Sequence, residues 1–320
     1  MSACLEFIDV HKSYRVRRGV LGTRATVPAV NGVDLAVAQG ETVGLVGESG
    51  CGKSTLARLA VSLEPPTSGR IRLEGNDLWE IPQARLPGLA QMIFQDPFSS
   101  FDPRMAIGQS VGEGLLAANI GDKRSRRARV LELLDMVGLS ASHAGRYPHQ
   151  FSGGQRQRAA IARALALTPK LIVCDEPVSA LDVSIQAQVL NILEDLKNQL
   201  GLTYLFISHD LAVVSHLSDR VAVMYAGQLM ELAPSDILYT APRHPYTRML
   251  LAAAPDPKAR PGTLRPGESR QTAPQRPAAG QAPAQACPLL PRCPEADAAC
   301  AMAPPWQEIS PGHFVRCRHS

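Results

Sequence analysis

Gly47-Glu48-Ser49-Gly50-Cys51-Gly52-Lys53-Ser54, followed by Thr55, is the stretch from which the rest of this chain can be read. It fits the pattern G-x-x-x-x-G-K-[ST]. A short apolar run, residues 42–46, reads as a buried strand entering it, and residues 55–63 read as a helix leaving it. That strand–loop–helix context separates a phosphate loop from a plain glycine-rich turn. The glycines let successive backbone N–H groups converge on phosphate oxygens, and the helix points its positive end at them. In such a loop Lys53 reaches the β and γ phosphates, and the Ser54 hydroxyl holds Mg²⁺. The stretch therefore implies a nucleoside triphosphate site, and what the energy serves must be sought elsewhere in the chain.

With 320 residues the chain can bury a large core, either as two domains or as one with insertions. An apolar content of 45% with 19% charged is that of an ordinary globular protein. Aromatics make up only 5%, so aliphatic side chains must supply most of the packing. A net charge of +4 gives no argument for nucleic acid, and the basic runs at 15–24 and 123–129 read as solvated surface. No stretch approaches the roughly eighteen apolar residues of a membrane span. The N-terminus lacks the basic and apolar regions of a signal peptide. The expectation is a cytoplasmic protein, alone or attached to something that spans.

Residues 5–14 and 27–37 alternate as half-buried strands do, with Asn31-Gly32 as a turn splitting the second into two, and residues 68–75 add another. These pieces suggest a small antiparallel sheet beside the phosphate-loop core. Tyr14, at the end of the first strand, either packs on that sheet or stacks on a nucleobase. Residues 91–94 read as a strand ending at Gln95, followed by a Pro-rich exposed loop and helices at 105–118 and 123–137. Ser152-Gly153-Gly154-Gln155 has the form of a capping box on a helix at 155–167, a second anion-binding helix end.

The apolar run 171–174 closes on Asp175-Glu176, where open α/β sheets place their ligands. Asp175 suits Mg²⁺, and Glu176 is placed to orient or deprotonate an attacking water. A helix at 183–200 and a strand at 203–207 follow, ending in Ser208-His209-Asp210. His209 falls at the same sheet edge and is either structural or a sensor of the γ-phosphate. Residues 220–231 read as a hairpin turning at Gly227. Together these predict a mostly parallel sheet covered on both faces. A short helix reaches about residue 254, and residues 255–286 have the Pro- and Ala-rich composition of a linker.

Of seven cysteines, Cys4, Cys51 and Cys174 are scattered while Cys287, Cys293, Cys300 and Cys317 crowd the C-terminus. In a reducing compartment such a cluster suggests metal before disulfides. Its spacing leaves zinc, an iron–sulfur cluster and free thiols open. Cys51 lies inside the phosphate loop, so its modification is expected to block nucleotide binding; Cys174 reads as an inert strand residue.

The phosphate loop, Ser152-Gly153-Gly154-Gln155, Asp175-Glu176 and His209, in that order, resemble the ATP-binding-cassette ATPases. Phe94-Gln95-Asp96-Pro97-Phe98-Ser99-Ser100, Asp175-Glu176-Pro177-Val178-Ser179-Ala180-Leu181-Asp182 and Arg243-His244-Pro245-Tyr246-Thr247 narrow the likeness. They look like the ATPase subunits of dipeptide, oligopeptide and nickel importers, most of all the second of the two such subunits. The resemblance covers nearly the whole chain. It implies a cassette over 1–240 with a helical subdomain at 96–154, a short helix and linker over 241–286, and a Cys-rich segment at 287–320.

It also implies roles. Tyr14 stacks on adenine, Gln95 touches Mg²⁺ and relays movement to membrane subunits, and Ser152, Gly153, Gly154 and Gln155 reach the γ-phosphate of a partner's ATP. Glu176 is the base, Asp182 lies in the loop linking two sites, and His209 is the switch histidine. Cys287, Cys293, Cys300 and Cys317 match members thought to hold a [4Fe–4S] cluster, although Ala286 and Leu289 stand where Gly and Phe are usual. The implied partners are a second ATPase subunit in a heterodimer, two transmembrane permease subunits and an external solute-binding protein, at the cytoplasmic face of the inner membrane. A nickel or other small-solute importer is the nearest alternative. A soluble cassette protein acting on nucleic acid or ribosomes is the more distant one, because no long insertion separates Lys53 from Ser152.

Overall fold

Residues 2–18, 23–96, 100–253 and 286–319 are described by a computed structural model. Two long antiparallel strands, β1 (Ala3–Arg18) and β2 (Thr23–Ala38), open the chain. β3 (Thr42–Val46) and α1 (Lys53–Ala60) flank the phosphate loop, and β4 (Ser68–Leu73) and β5 (Asn76–Asp77) follow. β2, β1, β4 and β5 form the expected antiparallel sheet in that order.

Two details of this sheet differ from the sequence expectation. Asn31-Gly32 does not turn between two strands but lies within β2. There the register passes from Val10 opposite Val33 to Lys12 opposite Val30. Gly32, at φ +68°, takes up the additional residue as a bulge. The Asn31 N–H donates to the Gly227 carbonyl at 2.8 Å, tying the bulge to the core sheet. β1 also runs on past Tyr14, which sits inside the strand opposite Val27 rather than at its end.

The second sheet is built from β6 (Ala90–Ile93), β7 (Leu171–Asp175), β8 (Thr203–Ile207), β9 (Arg220–Tyr225) and β10 (Gln228–Pro234), together with β3. β9, β3, β8, β7 and β6 are parallel neighbours in that order. β3, β7 and β8 are buried along their whole length, as expected of a parallel sheet covered on both faces. One face packs with α1 against the antiparallel sheet, through Leu45, Leu56, Leu59, Val173 and Leu205. The other face carries α4 (Gly153–Ala164) and α5 (Val183–Leu200), through Ile161, Val189, Leu193 and Phe206, while α2 (Ile107–Ala117) and α3 (Lys123–Met136) pack on α4.

α6 (Leu211–Leu217), capped by Asp210, and α7 (Ser235–Thr240) were not legible as helices. Both are shorter than the span over which apolar periodicity can be read. α8 (Pro245–Ala253) is the short helix expected after the hairpin. The linker expectation for residues 255–286 lies almost entirely outside the described residues. Beyond it, β11 (Gln307–Ser310) and β12 (His313–Val315) extend the core sheet, with β12 antiparallel to β10. The Cys-rich segment is therefore hydrogen-bonded into the sheet that carries the phosphate loop. No described helix is long and apolar enough to cross a membrane.

Candidate functional site

The phosphate loop leaves the carboxyl end of β3, between β8 and β9. Its shape depends on glycine at two positions where a Cβ would strike backbone. At Gly47 (φ +151°) it would lie 2.2 Å from the Met224 carbonyl oxygen, and at Gly52 (φ +115°) 2.2 Å from that of Ala29. Lys53 is buried, and its Nζ donates to the Gly47 carbonyl at 2.7 Å and the Glu48 carbonyl at 3.0 Å. These bonds hold the ammonium at the start of its own loop. Cys51 is buried beside it, and burial raises its thiol pKa against the pull of Lys53.

Ser54 Oγ donates to Asp175 Oδ1 at 3.0 Å, joining α1 to the end of β7. Burial pushes the Asp175 carboxyl up, opposed first by the Ser54 hydroxyl. A hydroxyl beside a carboxylate is the hard-oxygen donor set that Mg²⁺ takes, so these residues fit the ion the loop implies.

Glu176, one residue on, has φ +48°, a left-handed backbone that costs a side-chain-bearing residue about 1 kcal/mol or more. Its N–H donates to the Ile207 carbonyl at 3.0 Å, which holds the turn against β8. The carboxylate receives the Gln95 amide at 3.0 Å, and His209 Nδ1 lies 3.1 Å away, both on Oε2. The ends of β6, β7 and β8 thus bring together three residues that are far apart in sequence. Spacing alone supplied the carboxylate, whereas the Gln95–Glu176–His209 bridge needs parallel strands in register.

The other anticipated residues lie on different elements. Ser152 caps α4 through the capping box, with Gln155 N–H donating to Ser152 Oγ at 3.3 Å and Ser152 N–H to Gln155 Oε1 at 3.0 Å. A Cβ on Gly154 would sit 2.4 Å from Ile185 Cγ2, so the cap is pressed onto α5. Asp182 is exposed at the start of that helix. Tyr14 donates to Glu64 Oε2 at 2.6 Å, and its hydroxyl also interacts with Thr55 just beyond the phosphate loop. Lys12 lies over the Tyr14 ring, 5.3 Å from its centre.

Cys287, Cys293, Cys300 and Cys317 line one small cavity with His244 and His319. Burial raises the thiol pKa of Cys287, Cys293 and Cys317, which neighbouring cysteines raise further. Among the described residues no three of these thiols lie within 4.8 Å of one another, whereas Asp297, Cys300 and His319 do offer such a group.

Sequence reasoning missed three residues around the loop. Arg292, from the Cys-rich segment, makes a bidentate pair with Glu48: Nη1 to Oε2 at 3.0 Å and Nη2 to Oε1 at 2.9 Å. The Glu48 N–H donates to the Tyr246 hydroxyl at 3.1 Å, and the Tyr246 ring packs on Tyr225 with centres 4.6 Å apart. Nothing local to these residues points to a loop two hundred positions away.

Comparisons with known proteins follow the same lines. The profile of the family described as "ABC transporter" matches residues 30–179, and that of "Oligopeptide/dipeptide transporter, C-terminal region" matches 230–300. The chain is 47% identical over 322 residues to the oligopeptide transport ATP-binding protein AppF of Bacillus subtilis, covering 98% of this chain and 96% of that one. It is 49% identical over 299 residues to a putative peptide import ATP-binding protein of Brucella ovis, covering 92% of each. Among solved structures, the chain is similar to the dimeric, ADP- and Pi-bound, post-hydrolysis ATP-binding cassette MJ0796. That likeness has TM-score 0.64 at 29% identity, over 72% of this chain and 98% of that one. It is also similar to cbiO1 of Clostridium perfringens, part of the ABC transporter complex cbiONQ, with TM-score 0.65 at 25% identity over 75% and 92%.

Proposed function

Since this chain belongs to the ABC transporter family, among its peptide-import ATP-binding proteins, we propose that it couples ATP hydrolysis to uptake of di- or oligopeptides through separate membrane subunits. The observation that carries the chemistry is the junction of Ser54 with Asp175 and of Glu176 with Gln95 and His209, at the strand ends beside the phosphate loop. Lys53 and the loop N–H groups bind and orient the triphosphate. Ser54 and Asp175 would hold Mg²⁺, which neutralises charge between the β and γ phosphates when bound. Glu176 takes a proton from the attacking water as its oxygen bonds to the γ-phosphorus. The bond from that phosphorus to the β–γ bridging oxygen breaks, leaving ADP and phosphate. Both neighbours of Glu176 sit on Oε2, so Oε1 accepts the proton. Tyr14 provides the face for the adenine.

The site is completed by a second ATPase subunit. Ser152 and Gln155 cap one another, and the N–H groups at the start of α4 form the anion site offered across the interface. ATP between two such surfaces closes the pair, with Asp182 at the junction, and hydrolysis reopens it. We assign the second subunit as a related but different chain, with two permeases and an external solute-binding protein, at the cytoplasmic face of the membrane. Cargo is chosen by the binding protein and permeases, so nickel or another small solute is the reading to test against peptide. Co-purification with candidate membrane subunits, then ATPase stimulation by di- and oligopeptides with the cognate binding protein, tests this. Failure to associate with any membrane subunit refutes it, and stimulation by a metal ion in place of peptide reassigns the cargo.

For the four late cysteines we propose a [4Fe–4S] cluster. The shared cavity supports it. So does the donor set, because four soft thiolates are the ligands such a cluster takes. Anaerobically purified protein should be brown and contain iron and sulfide. A colourless protein with stoichiometric zinc would overturn the assignment in favour of the Asp297, Cys300 and His319 group.

A further inference from the structure

Glu48 is the one carboxylate between Gly47 and Thr55. A carboxylate in a loop that wraps a polyanion repels it unless another charge answers it. That charge comes from Arg292, whose guanidinium meets both Glu48 oxygens in the fork geometry that binds carboxylates most tightly. The Arg292 side chain is 7% exposed and that of Glu48 40%.

The guanidinium is held from several sides. Arg292 and Cys293 both donate their N–H groups to the Leu289 carbonyl, at 2.8 and 2.9 Å, so the turn between Cys287 and Cys293 sets where the arginine starts. Its far end lies over the Tyr225 ring, 5.7 Å from the centre. Tyr225 packs on Tyr246, the residue that receives the Glu48 N–H, so both the backbone and the side chain of Glu48 are gripped from the C-terminal third of the chain. Arg292 Nε is buried with no partner among the described residues.

We propose that Arg292 is a positioning residue for nucleotide binding, cancelling the charge of Glu48 and making the affinity of the phosphate loop depend on the Cys-rich segment. The proposal rests on ATP binding at that loop and not on what the cysteines hold. It predicts a pattern that a merely structural arginine does not. Removing the arginine is harmful because a carboxylate is left behind, so neutralising the carboxylate should remove the harm.

The test is calorimetric titration of the full chain with Mg-ATP. R292A is expected to weaken binding about five- to tenfold, and R292K, a point charge without the fork, by less. The R292A loss should shrink at high salt. In an E48Q background, adding R292A should change affinity less than about twofold. Wild-type affinity in R292A, or an undiminished loss in the E48Q background, overturns the proposal. Should R292A fail to fold, R292Q is carried through the same cycle and read by the same criteria. A wild-type chain that does not bind Mg-ATP would instead sink the ATPase reading.

Discussion

Replacing Glu231 should unfasten the Cys-rich segment from the ATPase sheet. The residue is fully buried on β10, and its carboxylate serves three donors. Oε1 accepts from the Arg243 N–H and the His313 imidazole Nε2, each at 2.8 Å, and Oε2 accepts from the His244 N–H at 3.0 Å. A carboxylate only accepts, so His313 must present its proton at Nε2. In E231L the buried His244 and His313 donors lose their acceptor at about 1–3 kcal/mol each and the part-buried Arg243 N–H loses less, for a total of at least about 2 kcal/mol. In E231Q the amide oxygen can keep one side while the NH₂ group confronts a donor on the other, costing about 1–3 kcal/mol. Because β12 and the entry to α8 hang on these bonds, the loss should appear first in the C-terminal segment. Urea unfolding by circular dichroism gives the size, and amide exchange at Val315 gives the location. An E231Q protein within about 0.5 kcal/mol of wild type, or a loss spread evenly over the sheet, would refute the reasoning.

E176Q keeps the shape of the bridge to Gln95 and His209 but removes the base, so phosphate release should fall about 10²–10⁴-fold while ATP binding persists. Normal turnover would show that another group takes the proton. Burial raises the Asp175 carboxyl, so it holds its proton to a higher pH than a free aspartate near 3.9. Mg²⁺ competes with that proton, so on acidification Mg-ATP affinity should begin to fall at a higher pH than an ordinary aspartate ligand would give. For folding, the same shift means that the contribution of Asp175 is more favourable at low pH and declines as the pH rises through its raised value. A titration flat through that window would remove Asp175 from the metal site. Cys51 is buried with its thiol pushed up, so alkylation of the folded protein should be slow, and the modified chain should lose ATP binding. Mass spectrometry with a binding assay checks both, and labelled protein of unchanged affinity would sink the idea.

The sequence by itself determined the elements whose physics is local. A glycine loop between an apolar strand and a helix marks a phosphate site because only glycine tolerates the Gly47 and Gly52 backbone. A serine three residues before a glutamine starts α4 because the capping box is made from neighbours. Long apolar periods placed α5 and β8 at 183–200 and 203–207 as observed. What depended on strand order was out of reach. The Asn31-Gly32 pair makes a turn or a bulge with the same residues, and the Gly227 carbonyl beside it decides which. Glu176 meets Gln95 and His209 only because β6, β7 and β8 are parallel neighbours. Tertiary structure alone decided the environment of Glu48. Its partners Arg292 and Tyr246 come from a segment that reads, residue by residue, as separate from the loop. A salt bridge or a hydrogen bond across such a distance leaves no periodic trace in the chain, because it depends on where the sheet carries its strands and not on what stands beside it in sequence.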